Sequence, residues 1–248
     1  MKFRVPGFGF RVKRQKMSPE PETRNSKPET TGGIIIETQR AEIPCGKITL
    51  EGMIHIPEGP GPFPLVVVCH PHPLYGGSMH NNVVDAVCSS LGEKEIAWLK
   101  FNFRGVGGSG GRFGDGIGEK DDARAAISFG EGQARIDPGK IGLCGYSFGS
   151  MVAFPVAVED GRVKAVAGIA PFVQPENLLH QYARPKLLVC GTRDEFVNYQ
   201  GLEKMMEKMP DPKELALYPG VDHFWVGGEG VMGERVAQFF RKYLVGVK

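Results

Sequence analysis

Nowhere does this chain carry an uninterrupted run of the roughly 20 apolar residues that a bilayer-spanning helix needs. Its first residues also lack the apolar stretch of a secretory signal. Strong net charge is missing as well. Thirty basic residues against 28 acidic ones give +2, which argues against a dedicated nucleic-acid binder. Cysteine is sparse and shows no paired spacing. Cys45, Cys69, Cys88, Cys144 and Cys190 contain no C-x-x-C, and Cys69, Cys144 and Cys190 sit in apolar, strand-like runs where thiols act as small hydrophobes. An odd count without paired spacing points to a reducing compartment, hence the cytoplasm. No internal repeat and no second domain boundary interrupts the pattern. The 248 residues are enough to bury a sizeable core.

The start of the chain differs from the rest. Residues 1 to 16 hold six basic and no acidic residues, and residues 18 to 33 are rich in Pro, Glu, Ser and Thr. Residues 1–32 are therefore expected to be a disordered extension, with Met17 a candidate start, and residues 33–248 a single α/β domain.

Within that domain, strands are expected at 34–38, 47–56, 64–69, 96–103, 140–145, 163–170, 186–191 and 214–218. Helices are expected at 80–92, 118–132, 148–158, 198–208 and 230–244. Pro64 to Cys69 is almost continuously apolar, as suits a strand buried on both faces. The alternation predicts a mostly parallel sheet with helices on both faces.

Gly145-Tyr146-Ser147-Phe148-Gly149 fits G-x-S-x-G, the turn that presents a nucleophilic serine between a strand and a helix. Taken alone, it fits an ordinary turn with Ser147 as a helix cap about as well. The partners decide between these readings. A serine hydroxyl is a poor nucleophile at neutral pH. It needs a base, and the base needs an orienting acid, in the chain order Ser, Asp or Glu, His. Only His180 and His223 follow Ser147, and His223 lies just past the strand at 214–218, whereas His180 falls in an expected short helical connection. After the strand at 186–191 comes Thr192-Arg193-Asp194-Glu195, where Asp194 is the preferred acid and Glu195 the second choice. Asp222, adjacent to the base, reads as structural. The oxyanion needs two backbone N–H groups. Phe148, after the nucleophile, supplies one. In His70-Pro71-His72-Pro73 only His72 has an amide between two prolines, so it is assigned the other.

Two patterns compete with this reading. His70, His72 and His80 suggest a metal site, but no nearby Cys or Asp/Glu cluster completes a ligand set, and no metal is expected. Gly105-Val106-Gly107-Gly108-Ser109-Gly110 satisfies G-x-G-x-x-G after a strand. No helix starts at its third glycine and no acidic residue ends a following strand, so it reads as a flexible loop at the site mouth. Arg104 and Arg112 on that loop are candidates for contacting an anionic substrate.

With these residues assembled, the chain resembles the α/β-hydrolase superfamily, in the small, nearly lidless bacterial branch of dienelactone hydrolases and serine esterases. The likeness rests on the loop at 70–73, Tyr75-Gly76-Gly77, Phe101 to Gly107, the elbow at 145–149, Gly191 to Asp194 and Asp222-His223, across about residues 47 to 244. It implies an α/β-hydrolase fold with an eight-stranded, mostly parallel sheet, a minimal lid and a Ser147–Asp194–His223 triad. It also implies a departure, since true dienelactone hydrolases use a cysteine nucleophile. The expected activity is hydrolysis of a small or soluble ester through an acyl-enzyme, with no cofactor, no nucleic-acid partner and no membrane span. A peptidase or thioesterase with the same triad, a non-catalytic binding protein and homo-oligomerisation stay open. Only Pro171 to Pro185 is left for a lid, and Tyr75, Phe172, Leu178, Leu179 and Tyr182 are the expected pocket walls.

Overall fold

A computed structural model describes residues 38–246. The extension at 1–32 and most of the strand expected at 34–38 lie outside the described residues. The first strand, β1, is Gln39–Cys45, later in the chain than the strand expected at 34–38. Its signal is the period-2 alternation of buried Ala41, Ile43 and Cys45 with exposed Arg40 and Glu42. Pro44 masked it, yet proline is tolerated here because β1 is an edge strand.

Seven more strands follow: β2 (Ile48–His55), β3 (Phe63–Cys69), β4 (Ala97–Phe101), β5 (Ile136–Tyr146), β6 (Val163–Ile169), β7 (Lys186–Gly191) and β8 (Lys213–Tyr218). They form one sheet in the order β1-β2-β4-β3-β5-β6-β7-β8. β1 pairs antiparallel with β2, and β2 with β4; every later pairing is parallel. The helices are α1 (Asn82–Gly92), α2 (Gly118–Glu131), α3 (Phe148–Glu159), α4 (Tyr199–Glu207) and α5 (Glu229–Phe240). They cover both faces, α1 packing on α5 and α2 on α3.

Burial on both faces explains the composition of the central strands. All but one residue of β3 and every residue of β4 and β7 are buried. Because β3 and β5 to β8 run the same way, the loops after them emerge at one end of the sheet. This is where a parallel α/β sheet presents its functional residues. The connection between β6 and β7 contains no helix, only i to i+3 turns such as His180 N–H to the Asn177 carbonyl. The short helix expected around His180 is therefore absent, and nothing in that connection forms a lid. Among the described residues, no helix is long and apolar enough to cross a membrane.

Candidate active site

Ser147 follows β5 directly and caps α3 at φ 52° and ψ −117°. A non-glycine residue there carries backbone strain on the order of 1–3 kcal/mol. The flanking glycines make the turn sterically feasible. A Cβ on Gly145 would overlap the Gly149 carbonyl, and one on Gly149 would overlap the Cys69 carbonyl of β3. The elbow is thereby wedged against the central strand, with Phe148 as the first residue of α3.

The loops after β7 and β8 bring in the other two groups. Ser147 Oγ lies 3.0 Å from His223 Nε2, and His223 Nδ1 lies 2.8 Å from Asp194 Oδ2. Asp194 is fixed from behind, its Oδ1 accepting the Phe196 and Val197 N–H groups at 2.8 and 2.9 Å. Its side chain is fully buried and that of His223 nearly so. Glu195, the second choice as acid, is exposed. Asp222 is structural, as expected: its Oδ1 accepts the Phe224 and Trp225 N–H groups and closes the turn that carries His223. Rings of Phe196, Phe224 and Phe172 stand 4.8, 5.7 and 6.2 Å from the imidazole. A cleft of about 230 Å³ opens beside it, between Arg193, Glu195, Phe196, Gly220, Asp222 and Phe224.

The loop after β3 packs against the start of α3. The His72 carbonyl accepts the N–H groups of Tyr75 and Gly77, both at 3.1 Å. The His72 ring packs among Tyr75, Phe113 and Phe148 at 4.7, 5.1 and 4.9 Å, and burial lowers its basicity. This cluster joins the loop to the first residue of α3.

In sequence and fold the chain is similar to known proteins. Residues 118–232 match the dienelactone hydrolase family. An uncharacterized protein of Rickettsia prowazekii is 30% identical over 175 residues, 65% of this chain and 72% of that protein. An α/β serine hydrolase homologue from Coxiella burnetii superposes with a TM-score of 0.73 at 32% identity, over 83% of this chain and 99% of that one. The chain belongs to the α/β serine hydrolases. Another such hydrolase, from Xanthomonas campestris and described as without a lid, superposes at 28% identity with a TM-score of 0.73, over 90% and 100% of the two chains. This α/β serine hydrolase shares the lidless arrangement and the dienelactone-hydrolase-like branch.

The competing motifs of this hydrolase resolve into structural roles. His70 is fully buried, with its Nδ1 donating to the Pro71 carbonyl at 2.6 Å and its Nε2 accepting the Phe103 N–H at 3.0 Å. Both ring nitrogens are thus engaged, and desolvation pushes the imidazole down to about 4. An imidazole that stays neutral in the folded state but takes a proton near 6.5 when unfolded stabilises the fold above 6.5. That stability is lost as the pH falls from about 6.5 towards 4. The span corresponds to about 3 kcal/mol. Thermal melts between pH 7 and 4 are expected to fall more steeply for the native chain than for His70→Gln. Parallel slopes would show that His70 is not held neutral.

The glycine loop at 105–110 is bonded to its neighbours. Glu51 Oε2 accepts the Gly108 N–H at 2.8 Å and the Asn102 side-chain amide at 2.7 Å, and Ser109 Oγ donates to the Asn102 carbonyl at 2.6 Å. The flexible loop expected here is thus a tied turn. Arg104 is likewise engaged, gripping the fully buried Asp122 through Nε and Nη2 at 3.0 and 2.7 Å.

Not every expected pocket wall reaches the site. Phe172 does, through its contact with His223, and Tyr75 does through His72. Leu178 is half-buried in the turn closed by its N–H to the Pro175 carbonyl. Tyr182 does not. Its ring lies against Arg184 and Lys186, 4.8 and 5.6 Å away, at the start of β7. The site is at the other end of that strand, on the order of 16 Å off at about 3.3 Å per residue. Tyr146, by contrast, was overlooked. Its hydroxyl donates to the His223 carbonyl at 2.9 Å, a contact no spacing rule in the sequence announces.

Proposed function

We propose that this hydrolase cleaves carboxylic esters of small or soluble substrates through an acyl-enzyme on Ser147. The observation that carries the reading is the unbroken relay from Ser147 Oγ through His223 to Asp194. In the first step His223 Nε2 takes the Ser147 proton as Oγ attacks the ester carbonyl. The imidazolium, oriented by Asp194, then passes that proton to the departing alcohol. The negative charge that develops on the carbonyl oxygen is held by the amides of Phe148 and His72. Water, deprotonated by His223, releases the acid and restores Ser147. The buried, unpaired thiols of all five cysteines support a cytoplasmic setting.

Support for a compact substrate comes from the short turns between β6 and β7, which leave little material to enclose a long chain. The test is a panel of p-nitrophenyl esters of increasing acyl length, run beside a matched thioester and a peptide anilide. The expected result is highest kcat/KM on short acyl esters, falling with chain length. Preference for the thioester, or for long acyl chains, would overturn the substrate assignment. Turnover of none of them by folded protein would overturn the esterase reading itself.

A further inference from the structure

The elbow and the base loop meet at one more point besides the Ser147–His223 contact. Tyr146, the last residue of β5, is buried and sends its hydroxyl to the backbone carbonyl of His223 at 2.9 Å. The phenol and imidazole rings lie 5.7 Å apart at 35°. Among the described residues, this is the hydrogen bond that the His223 carbonyl accepts. The turn carrying His223 is also held upstream, where the Val221 carbonyl accepts the Arg193 N–H at 2.9 Å and Thr192 Oγ1 accepts the Gly220 N–H at 3.0 Å, and downstream, by Asp222 on the Phe224 and Trp225 amides.

We propose that Tyr146 is a positioning residue: it clasps the His223 backbone to the elbow strand and so fixes the imidazole between Ser147 and Asp194. The proposal rests on the esterase reading above. His223 must hold two bonds at once, to groups on two different loops, and a side chain pivots about its own backbone. Residues 146 and 147 are covalent neighbours, so a bond from Tyr146 to the His223 carbonyl sets the distance between base and nucleophile from the nucleophile's own strand. Burial, reinforced by the nearby Asp194 and Asp222 charges, raises the phenol's pKa well above its usual value. It therefore stays a protonated donor over the working pH range of an esterase. Substrate binding groups, the Phe148 and His72 amides included, are untouched by this contact.

Tyr146→Phe removes one oxygen and keeps the ring. The expected result is a kcat reduced on the order of 10- to 100-fold with KM changed less than about twofold, as suits a misplaced catalytic group. The second-order rate of fluorophosphonate labelling should fall by the same factor. The low-field proton resonance of the His223 Nδ1–H bonded to Asp194 should also broaden or move, which a merely structural tyrosine would not cause. Wild-type kcat and labelling rate in folded Tyr146→Phe would overturn the proposal, as would a loss confined to KM. Failure of the wild-type chain to label would instead overturn the esterase reading, so the two are separable. Should Tyr146→Phe not fold, a crystal structure of the wild-type phosphonyl adduct decides. Tyr146 Oη within hydrogen-bonding range of the His223 carbonyl supports the clasp, and a broken contact overturns it.

Discussion

Ser147→Ala is expected to cut kcat roughly a millionfold, the scale on which a serine nucleophile's removal disables a hydrolase of this kind. It should also abolish fluorophosphonate labelling while leaving the fold intact. The reason for stability to survive is local. Among the described residues, Ser147 Oγ hydrogen-bonds to His223, and the elbow is held by backbone contacts: Ser147 N–H to the Ile169 carbonyl and Ser150 N–H to the Ser147 carbonyl, both at 2.9 Å. Alanine meets the same positive φ as serine, so the strain is unchanged. The check is a melt beside a labelling gel. Equal labelling of Ser147→Ala and the native chain would remove Ser147 from the chemistry, whatever the fate of the rest of the site.

Asp194→Asn is the second large effect, and its cause is a proton in the wrong place. Asp194 Oδ1 is committed to the Phe196 and Val197 amides, which need an acceptor. Asparagine satisfies them with its carbonyl oxygen and must then turn its NH₂ towards His223 Nδ1. Two donors cannot share a hydrogen bond, so the imidazole moves its proton to Nε2, facing Ser147, and ceases to be a base. A loss on the order of 10⁴-fold in kcat is expected. The turn itself is preserved, so the melting temperature should barely move. Asp194→Ala behaves differently, because it leaves two amide donors without their acceptor. It should lose stability as well as activity, by about 1–3 kcal/mol for each donor left unsatisfied. Activity assays paired with melts on both variants test this. An Asn variant that melts early and an Ala variant that does not would reverse the assignment of the two carboxylate oxygens.

The parts of this protein that the sequence announces are those governed by one-dimensional rules. Central strands buried on both faces must be continuously apolar, so β3 and β7 were read within a residue of their ends. The helix after the elbow was found as readily, since the motif fixes its start. Ser147, Asp194 and His223 were legible because each follows a strand in the same sheet and their order is constrained. What escaped depends on pairs distant in sequence. β1 is recognisable mainly by its pairing with β2, because Pro44 weakens its local pattern. Tyr146 and His223 are 77 residues apart, and nothing in either neighbourhood requires the other. Tyr182 failed as a pocket residue for a related reason: an apolar ring in a loop says nothing about which end of the sheet it reaches.

The turn around Glu51 carries a consequence for ligand choice. Backbone amides of a glycine-rich loop usually wait for a guest phosphate. Here the Gly108 amide already serves a resident anion, the chain's own carboxylate. That bond and the one from Asn102 hold Glu51 below the usual carboxylate range, so it keeps its charge well into acid solution. A Cβ on Gly107 would strike the same carboxylate and the Asn102 amide, so the glycine is spent on making room for an internal tenant. An incoming phosphate would meet a fixed negative charge at that turn. The fingerprint that most suggests nucleotide binding in this chain is, electrostatically, a barrier to it.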